Sequence, residues 1–212
     1  MRRIAFYGGT FDPPHNGHLA IAETLVGEFA LDGFVFIPAF HAPHKLRSKP
    51  TPAYDRFAML SLMTNDLANV RVSRIEIELP EKPFTVETLA RLKEELPDDR
   101  LFFVMGADSW MDILTWREWE KVLLMTDHII VTRPGVEIST DHVSDAVRER
   151  IVDMREDSTA DSASGPDIYI TDAVKMDISA TEIRQKIRSG DENWTADVPA
   201  SVAKYIEKYQ IY

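Results

Sequence analysis

The sequence predicts an α/β fold: a doubly wound, mostly parallel sheet with helices on both faces and further helices at the C-terminal end. Two observations predict it. Apolar strand-like runs alternate with helical patterns along the whole chain, which is the order that a parallel sheet requires. Several of these runs stop at Gly or Pro, as strands do where the chain leaves a sheet. The composition, 44% hydrophobic and 28% charged, is that of an ordinary globular protein.

The predicted strands are short apolar runs, and most of them end at a residue that breaks a strand. The first ends at Gly8 and Gly9, the second at Pro38, and the strongly apolar fourth at Gly106. The third is predicted from apolar residues at alternate positions, the pattern of a half-buried strand. Strands are predicted over 3–7, 34–37, 70–79, 101–105, 128–132 and 168–170.

The predicted helices carry apolar residues at helical spacing. They are predicted over 17–30, 52–66, 86–96 and 141–155, followed by two helices near the C-terminus. The polar segment 156–166 is predicted to be a surface loop. We expect residues 1–212 to form one Rossmann-like domain, with 178–212 as its C-terminal helical part. In such sheets ligands bind beyond the carboxyl ends of the strands.

The net charge and the absence of cysteine argue against several classes of function. A formal net charge of -11 argues against a broad contact with nucleic acid, which depends on Lys and Arg; a small anionic substrate needs only a few cations and helix ends. The chain has no Cys, and therefore no disulfide or thiol nucleophile. No run approaches the ~20 apolar residues of a membrane span, and the apolar stretch after Arg3 is too short for an export signal. We expect a cytoplasmic protein that binds small molecules, without nucleic-acid or membrane partners; a homo-oligomer is compatible with the sequence.

The loop after the first strand is rich in groups that suit phosphate. Gly8 and Gly9 permit a close approach of the backbone to a ligand, or a positive φ. Asn16 suits an N-cap, which places His18 in the first helical turn, and imidazoles at a helix N-terminus bind phosphate oxygens. Neither G-x-G-x-x-G nor G-x-x-x-x-G-K-[ST] occurs. We therefore predict a phosphate site made of His15, His18 and backbone; the alternative is a turn whose histidines cap the helix and contact solvent.

A second candidate phosphate site lies towards the C-terminal end. Residues 179–182 fit a capping box, in which Ser179 caps a helix and Glu182 reaches back. That interpretation does not explain Arg184 and Arg188, which lie four residues apart on one helix face. Cations near a helix start are electrostatically misplaced unless an anion lies opposite them. The pattern therefore predicts a bound anion, while Arg188 is equally consistent with a solvated surface.

These two segments resemble the signatures of a known superfamily. Residues 8–18, GGTFDPPHNGH, resemble the first signature of the HxGH-type nucleotidyltransferases and, in full form, that of bacterial nicotinate-nucleotide adenylyltransferases. Residues 178–184 match the second signature of the superfamily, I-S-x-T-x-I-R. The resemblance extends over nearly the whole chain, with similar pieces in the same order at 43–45, 106–108, 115–116 and 133–135.

The resemblance implies that the chain joins the AMP part of ATP to nicotinate mononucleotide in NAD biosynthesis. It implies Mg²⁺ carried by the ATP phosphates, no metal held by the protein, and His15, His18 and Arg184 as catalytic residues. The ATP-binding residues that it implies are Gly8, Gly9, Thr10, Phe11, His18, Gly106, Asp108, Ile178, Ser179, Thr181 and Arg184. Those implied for the mononucleotide are His44, Lys45, Thr85, Trp116, Arg117 and Arg133.

The middle of the chain has to select the acceptor. Trp116 suits stacking on a pyridine ring, and because Trp110 and Trp119 lie in the same region, we expect at least one of the three in the core. Asp108 is expected either to accept from ribose hydroxyls or to cap the next helix.

One departure from the family bears on the acceptor. The family usually has Ser-Tyr-Thr before the third helix, where this chain has Pro83, Phe84 and Thr85. Pro83 has no N–H and Phe84 has no hydroxyl, which weakens the expectation of a contact to the pyridine carboxylate. Nicotinamide mononucleotide and phosphopantetheine are therefore kept as alternative acceptors.

Three rival functions fit parts of the sequence. His15-x-x-His18 and His41-x-x-His44 offer a zinc site, though without Cys and with loose spacing. The His-x-Gly-His form also suggests a tRNA synthetase, but an acidic chain of 212 residues has no room for the added tRNA-binding regions. A non-catalytic nucleotide sensor would keep the fold, yet the presence of both phosphate-binding segments counts against it.

Overall fold

The fold is taken from a computed structural model, which describes residues 1–40, 50–79, 83–132, 138–156 and 166–212. The strands are β1 (Arg3–Gly9), β2 (Gly33–Pro38), β3 (Val70–Val72), β4 (Arg100–Gly106), β5 (Asp127–Val131), β6 (Ile151–Asp153) and β7 (Ile168–Thr171). The helices are α1 (Asn16–Glu28), α2 (Ala53–Met63), α3 (Thr85–Glu95), α4 (Ala107–Met111), α5 (Trp119–Met125), α6 (Asp145–Arg148), α7 (Ala180–Ser189) and α8 (Ala200–Tyr209). Short 3-10 helices cover Ile113–Thr115, Met154–Glu156 and Glu192–Ala196.

The strands form one sheet in the order β3-β2-β1-β4-β5-β7-β6, and every strand pair in the described ranges is parallel. The predicted doubly wound sheet is confirmed. From β1 the chain first builds outward through β2 and β3, and it then returns to the other side of β1 with β4. The strand order reverses between β1 and β4, and such a switch point opens a crevice at the carboxyl ends of the two strands.

Helices cover both faces of this sheet. One core holds Ala5 and Tyr7 of β1 together with apolar residues of α1, α2, α7 and α8. The other core holds Ile4 and Phe6 of the same strand together with apolar residues of α3, α4, α5 and α6. Successive strand residues point to opposite faces, and here both sets are buried. For that reason the central strands appear in the sequence as continuous apolar runs.

The third strand is shorter than predicted. β3 covers Val70–Val72 instead of 70–79. It is an edge strand, and its pairing with β2 ends where Phe36 lies opposite Val72, close to Pro38, which has no N–H to continue a ladder. Ile77, which extended the alternating pattern, is buried within a turn segment.

The helix predicted over 141–155 is wrong in its second half. α6 covers only Asp145–Arg148, and Ile151–Asp153 forms β6. This strand pairs in parallel with β7, a partner that lies later in the chain, so local periodicity does not reveal it. Local patterns also predict no helix between β4 and β5, where α4 and α5 lie. Most of the loop predicted over 156–166 lies outside the described residues.

Candidate active site

A cavity of about 420 Å³ lies at the carboxyl ends of β1 and β4, at the switch point of the sheet. Its walls come mainly from the end of β1 with the loop that follows, the first turn of α4, Trp116, and the first turn of α7. This is the position at which open α/β sheets bind their ligands.

Most of the residues predicted for catalysis or for ATP binding line this cavity together. Those that do so are Gly8, Gly9, Thr10, Phe11, His15, His18, Gly106, Asp108, Ser179, Thr181 and Arg184. The exception is Ile178, which packs against one of the cores instead. The fold thus brings two segments from opposite ends of the sequence into one site, while the role of each residue stays a prediction.

Gly8 and Gly9 do not have a positive φ, so backbone conformation does not explain them. They are needed because aromatic rings pack closely against them. The left-handed residue of this loop is Phe11, with φ 50°. A Cβ on Gly9 would lie 2.8 Å from the ring of Phe11, and a Cβ on Gly8 would lie 3.0 Å from the ring of Phe103. Phe11 is buried and packs edge-on against Tyr7. This burial offsets the ~1–2 kcal/mol that a left-handed backbone costs a residue with a side chain.

The two histidines lie at the start of α1, one position away from the prediction. The N-cap is His15 instead of Asn16, and His18 is the third helical residue. The two rings stack, with their centroids 3.7 Å apart. The absence of a Cβ on Gly17 allows this arrangement, because that atom would lie 3.1 Å from Nδ1 of His15.

The protonated nitrogen of His18 follows from one hydrogen bond. The backbone N–H of His15 donates to Nδ1 of His18 at 3.2 Å. An imidazole nitrogen that accepts a hydrogen bond carries no proton, so in the neutral ring the proton is on Nε2. The neutral ring of His18 therefore carries its N–H on Nε2, and His18 lines the cavity.

The second signature forms the first turn of α7. Ser179 is the N-cap, as predicted, but its side chain makes no capping hydrogen bond. The predicted capping box with Glu182 is therefore wrong. The first N–H groups of a helix have no acceptor within the helix, and Ser179 lines the cavity. This helix start suits an anion better than it suits a self-contained cap.

Arg184 connects the two signatures. Its Nη1 donates to the backbone oxygen of Asp12 at 2.5 Å, and its Nη2 donates to Oγ1 of Thr181 at 3.2 Å. These bonds fix the guanidinium at the cavity wall, and a guanidinium has five N–H groups in all, so others remain for phosphate oxygens. Arg188 lies one turn later, is exposed and does not line the cavity.

Arg56 holds the loops beside the site through hydrogen bonds to their backbone oxygens, and no sequence motif predicted this role. It is fully buried in α2, and its guanidinium donates to the backbone oxygens of Thr10 at 2.5 Å, Ala39 at 2.6 Å and Thr51 at 2.8 Å. Burial lowers its pKa below the usual value. The sequence did carry a signal, because Arg56 precedes the buried Met59 at helical spacing and a charge on an apolar helix face requires partners.

Asp108 and Trp116 line the cavity, whereas Trp110 lies in the core. Asp108 lies in the first turn of α4, whose N-cap is Gly106, so the capping alternative for Asp108 is wrong. Its side chain is exposed and lines the cavity. Trp110 is the expected core residue, fully buried with Nε1 donating to the backbone oxygen of Ser139 at 2.9 Å. Trp116 is half-buried and lines the cavity.

The residues predicted to bind the mononucleotide do not all line the cavity. Among the described ones, Trp116 lines the cavity, whereas Thr85 and Arg117 do not. The guanidinium of Arg117 lies 4.7 Å from the ring centroid of Phe84 and 3.6 Å from the carboxylate of Glu87, at the start of α3. Three further residues of this set lie outside the described residues, namely His44, Lys45 and Arg133.

Metal ligands do not converge in the described ranges, where no group of three or more His, Asp or Glu is arranged to hold an ion. The zinc hypothesis gains no support from His15 and His18, whose rings stack on each other, and His41 and His44 lie outside these ranges. In the same part of the chain, no helix is long and apolar enough to cross a membrane.

Comparisons with known proteins agree on one family. The cytidylyltransferase-like family model matches residues 6–186. A probable nicotinate-nucleotide adenylyltransferase from Geobacter sulfurreducens is 36% identical over 212 residues, covering 99% of this chain and 98% of the relative. Another of that name, from Thermoanaerobacter sp., is 35% identical over 211 residues, covering 99% and 94%. The chain belongs to the nicotinate-nucleotide adenylyltransferase family.

Solved structures share the fold of this adenylyltransferase family member. Plasmodium falciparum nicotinic acid mononucleotide adenylyltransferase complexed with NaAD aligns with a TM-score of 0.77 at 20% identity, over 100% of this chain and 98% of that chain. The same protein complexed with APC aligns with a TM-score of 0.75. At this identity the similarity establishes the Rossmann-like fold.

Proposed function

We propose that this chain transfers the AMP moiety of ATP to nicotinate mononucleotide, giving nicotinate adenine dinucleotide and pyrophosphate, in NAD biosynthesis. The observation that carries the proposal is the convergence of segments 8–18 and 179–184 on one cavity at the switch point of the sheet. Family membership, with relatives that match the full chain, supports the acceptor. We further propose that residues 1–212 act as one domain and that it works in the cytoplasm.

The reaction requires alignment and charge stabilisation from the protein. A phosphate oxygen of the mononucleotide is anionic at neutral pH, and it attacks the α-phosphorus of ATP while pyrophosphate leaves. No protein nucleophile or strong base is needed for that step. The site has to hold two anions that repel each other and to stabilise the charge on the equatorial and leaving oxygens. N–H donors and a guanidinium at the cavity wall suit this task.

We assign the phosphate contacts to both signatures. His18 donates through Nε2 to the phosphates around the reacting phosphorus, with His15 beside it. Ser179, Arg184 and the first N–H groups of α7 hold the β- and γ-phosphates, whose negative charge also balances a cation at a helix start. Asp108, exposed at the start of α4, accepts from the ribose of ATP.

ATP enters with Mg²⁺ in this proposal. We propose the ATP phosphates themselves as the ligands of the ion, since no group of three or more His, Asp or Glu in the described ranges is arranged to hold one. When bound, the cation neutralises part of the triphosphate charge. The other contacts to the phosphates are made by donors of the chain.

The acceptor contacts are the finer part of the proposal. Trp116 stacks on the pyridine ring, since aromatic stacking is worth ~1–3 kcal/mol per base-like ring. Arg117, held over the ring of Phe84, supplies positive charge for the pyridine carboxylate, with Thr85 beside it in the chain. The cations of the remaining mononucleotide set, His44, Lys45 and Arg133, stay predictions from the family resemblance.

The test is a product assay with ATP and Mg²⁺ against nicotinate mononucleotide, nicotinamide mononucleotide and phosphopantetheine in parallel. We expect kcat/KM for nicotinate mononucleotide to exceed that for the amide by at least about tenfold, because a charged carboxylate is recognised by a cation that the amide leaves unpaired. Pyrophosphate released only with phosphopantetheine would reject the acceptor and leave adenylyl transfer intact. ATP binding without release of pyrophosphate from any acceptor would favour the nucleotide sensor.

A further inference from the structure

Asp12 places a carboxylate in the wall of a cavity that otherwise suits phosphate. It is 8% exposed and lines the cavity beside Arg184. A carboxylate in this position repels a triphosphate unless its charge is engaged elsewhere. Its two oxygens are both engaged: Oδ1 accepts from the hydroxyl of Tyr212 at 2.6 Å, and Oδ2 accepts from the N–H of Thr51 at 3.3 Å.

Tyr212 reaches Asp12 from the far end of the sequence. Its φ of 81° lies in the left-handed region, which a bulky residue keeps only where its surroundings hold it. Burial, with the nearby Asp12 carboxylate as the next cause, raises the pKa of the Tyr212 hydroxyl above its usual value. The hydroxyl therefore remains protonated and remains a donor throughout the range in which the enzyme works.

Asp12 also contacts Arg184 through its backbone. The Asp12 carbonyl accepts from Nη1 of Arg184, so one residue joins Tyr212 on its side chain to Arg184 on its main chain. Without the Tyr212 hydroxyl, the Asp12 carboxylate loses its shorter hydrogen bond. Two guanidinium groups lie near Asp12: that of Arg56, whose N–H groups donate to backbone oxygens, and that of Arg184, which lines the cavity. Arg184 is therefore the cation with which the carboxylate can pair. An ion pair between them would take N–H groups that phosphate oxygens otherwise receive.

We propose that Tyr212 is a positioning residue of the nucleotide site: its hydroxyl holds the Asp12 carboxylate away from Arg184, which keeps the guanidinium available to ATP. The inference rests on the proposed function only in naming ATP as the ligand. Tyr212 acts through Asp12 and makes no contact with the nucleotide. The competing explanation is a structural one, in which Tyr212 only fastens the last residues of the chain to the fold.

The first test removes the hydroxyl and keeps the ring. In Tyr212→Phe we expect the Kd of α,β-methylene ATP with Mg²⁺, measured by titration calorimetry, to rise about tenfold, which is the size expected for a lost hydrogen bond to a charged group. The melting temperature should stay within about 3 °C of the wild type. KM for nicotinate mononucleotide should change less than about twofold, because Arg184 serves the ATP phosphates.

A matched control exists in the same region. The hydroxyl of Tyr205 on α8 donates to Asp55 on α2 at 2.8 Å, and neither residue lines the cavity. Tyr205→Phe therefore removes the same kind of bond from the same end of the chain without touching the site. We expect the Kd of the analogue to be unchanged in this variant. A loss of affinity equal to that of Tyr212→Phe would overturn the inference.

A charge rescue separates positioning from simple fastening. Combining Tyr212→Phe with Asp12→Asn keeps the shape of the side chain and removes the charge that would pair with Arg184. We expect the double variant to bind the analogue within about threefold of the wild type. A double variant that binds no better than Tyr212→Phe would overturn the inference. The double variant remains informative even if Tyr212→Phe is less stable than the wild type. Removing the Asp12 charge does not restore the hydrogen bond that Tyr212 makes, so recovered binding would have to come from Arg184.

The inference and the proposed function fail in different experiments. The analogue is not turned over, so unchanged binding in Tyr212→Phe would refute the role of Tyr212 alone. Absence of dinucleotide from the wild-type chain in the product assay would refute the proposed function alone.

Discussion

The two ends of the central sheet carry polar clusters that are built in different ways. At the amino ends of β4, β5 and β7, Arg100 donates to Asp127 at 2.8 and 2.9 Å and to the hydroxyl of Tyr169 at 3.1 Å. Tyr169 donates to Asp167, whose N–H donates to Asp127 at 3.0 Å. Hydrogen bonding to Asp127 raises the pKa of Arg100, and burial raises the pKa of Tyr169 to about 12. These polar groups satisfy one another within the protein.

The carboxyl ends of β1 and β4 show the opposite arrangement. His18, Arg184 and the start of α7 present donors towards a cavity, and Phe11 keeps a left-handed backbone there. Cavity size does not distinguish the two ends, since one of about 420 Å³ lies here and one of about 400 Å³ lies beside Arg100. The difference is that the polar groups at the amino end form hydrogen bonds with one another, whereas those at the carboxyl end line the cavity of the candidate site. Substitutions at the two ends should therefore separate stability from turnover.

The largest expected effect is at the carboxyl end. His18→Ala should lower kcat ~10²–10³-fold, because a donor aimed at developing charge is lost. The free energy of unfolding should change by less than ~1 kcal/mol, since this ring is half-buried. Steady-state kinetics and urea unfolding measure the two quantities.

The control for this variant is His142→Ala. His142 lies outside the cavity lining and contacts the backbone oxygen of Trp110 at 3.1 Å, so kcat should stay near the wild-type value. A near-normal kcat in His18→Ala would show that the carboxyl end has been assigned wrongly.

Substitutions at the amino ends of the strands should lower the stability of the protein and leave turnover nearly unchanged. Asp127→Asn keeps the shape of the side chain but removes the nearer of the two carboxylates that pair with Arg100, at 2.8 Å, and leaves Asp167 at 3.9 Å. We expect the free energy of unfolding to fall by about 3 kcal/mol, with kcat of the folded enzyme within about twofold of the wild type.

The control here is Asp153→Asn, which breaks a more exposed pair with Arg155 and should cost less than about 1 kcal/mol. If Asp127→Asn lost turnover as strongly as stability, the two ends of the sheet would not be independent.

Acid should also weaken the amino end. His128 follows Asp127 in β5 and is fully buried, and burial lowers its pKa from 6.5 to about 4, although its ring contacts the backbone oxygen of Thr126 at 2.9 Å. The unfolded chain takes up a proton near pH 6.5, whereas the folded chain does so only near pH 4. Stability from this group is therefore complete above pH 6.5 and is lost as the pH falls from 6.5 to 4, by roughly 3 kcal/mol in all.

The measurement is urea unfolding of the wild type and of His128→Leu, each at about pH 7 and about pH 4.5. Both proteins share the same carboxylates, so the difference between them isolates the contribution of His128. The variant should lose less stability between the two pH values. Equal losses would mean that His128 is not held neutral by the fold.

The smallest effect is expected at the start of α7. Because the Ser179 hydroxyl makes no capping bond, Ser179→Ala should change the free energy of unfolding by less than about 0.5 kcal/mol, although loss of a working cap costs ~1 kcal/mol. KM for ATP should rise about threefold if the hydroxyl contacts a phosphate. Ser189→Ala, at the far end of the same helix, should be neutral in both measurements. A loss of stability with an unchanged KM would restore the capping box.

Much of the sheet and both halves of the site were predictable for local reasons. β1, β2 and β4 are buried on both faces, so their apolar runs stand out in the sequence. Segment 8–18 stands out because glycines and histidines precede a helix start, and segment 178–184 stands out because an N-cap serine is followed by an arginine near a helix start. The single-position error at the N-cap, His15 instead of Asn16, arose from tertiary contacts: the Asn16 amide donates to the backbone oxygen of Ala196 at 2.9 Å.

Other features depend on partners that are distant in the sequence. β6 is a strand because β7 pairs with it, and nothing within 151–153 indicates this. A positive φ was one of two alternatives for Gly8 and Gly9, and the residue that has it is Phe11, whose ring fills the space beside Gly9. Thr85 and Arg117 do not line the cavity. Arg117 lies instead over Phe84 and near Glu87 at the start of α3, a contact between separate segments that no local pattern predicts.

The sequence by itself determined the alternation of strands and helices, the burial of both sheet faces and the two segments that we propose to bind phosphate. These follow from spacing and from helix starts, which act over a few residues. The tertiary structure alone decided that the Asp12 side chain is held by Tyr212 while its backbone oxygen accepts from Arg184, and that Arg56 donates to four loop carbonyls. Such contacts join residues from separate parts of the chain, and buried polar groups select their partners only once the surrounding elements have packed and excluded water.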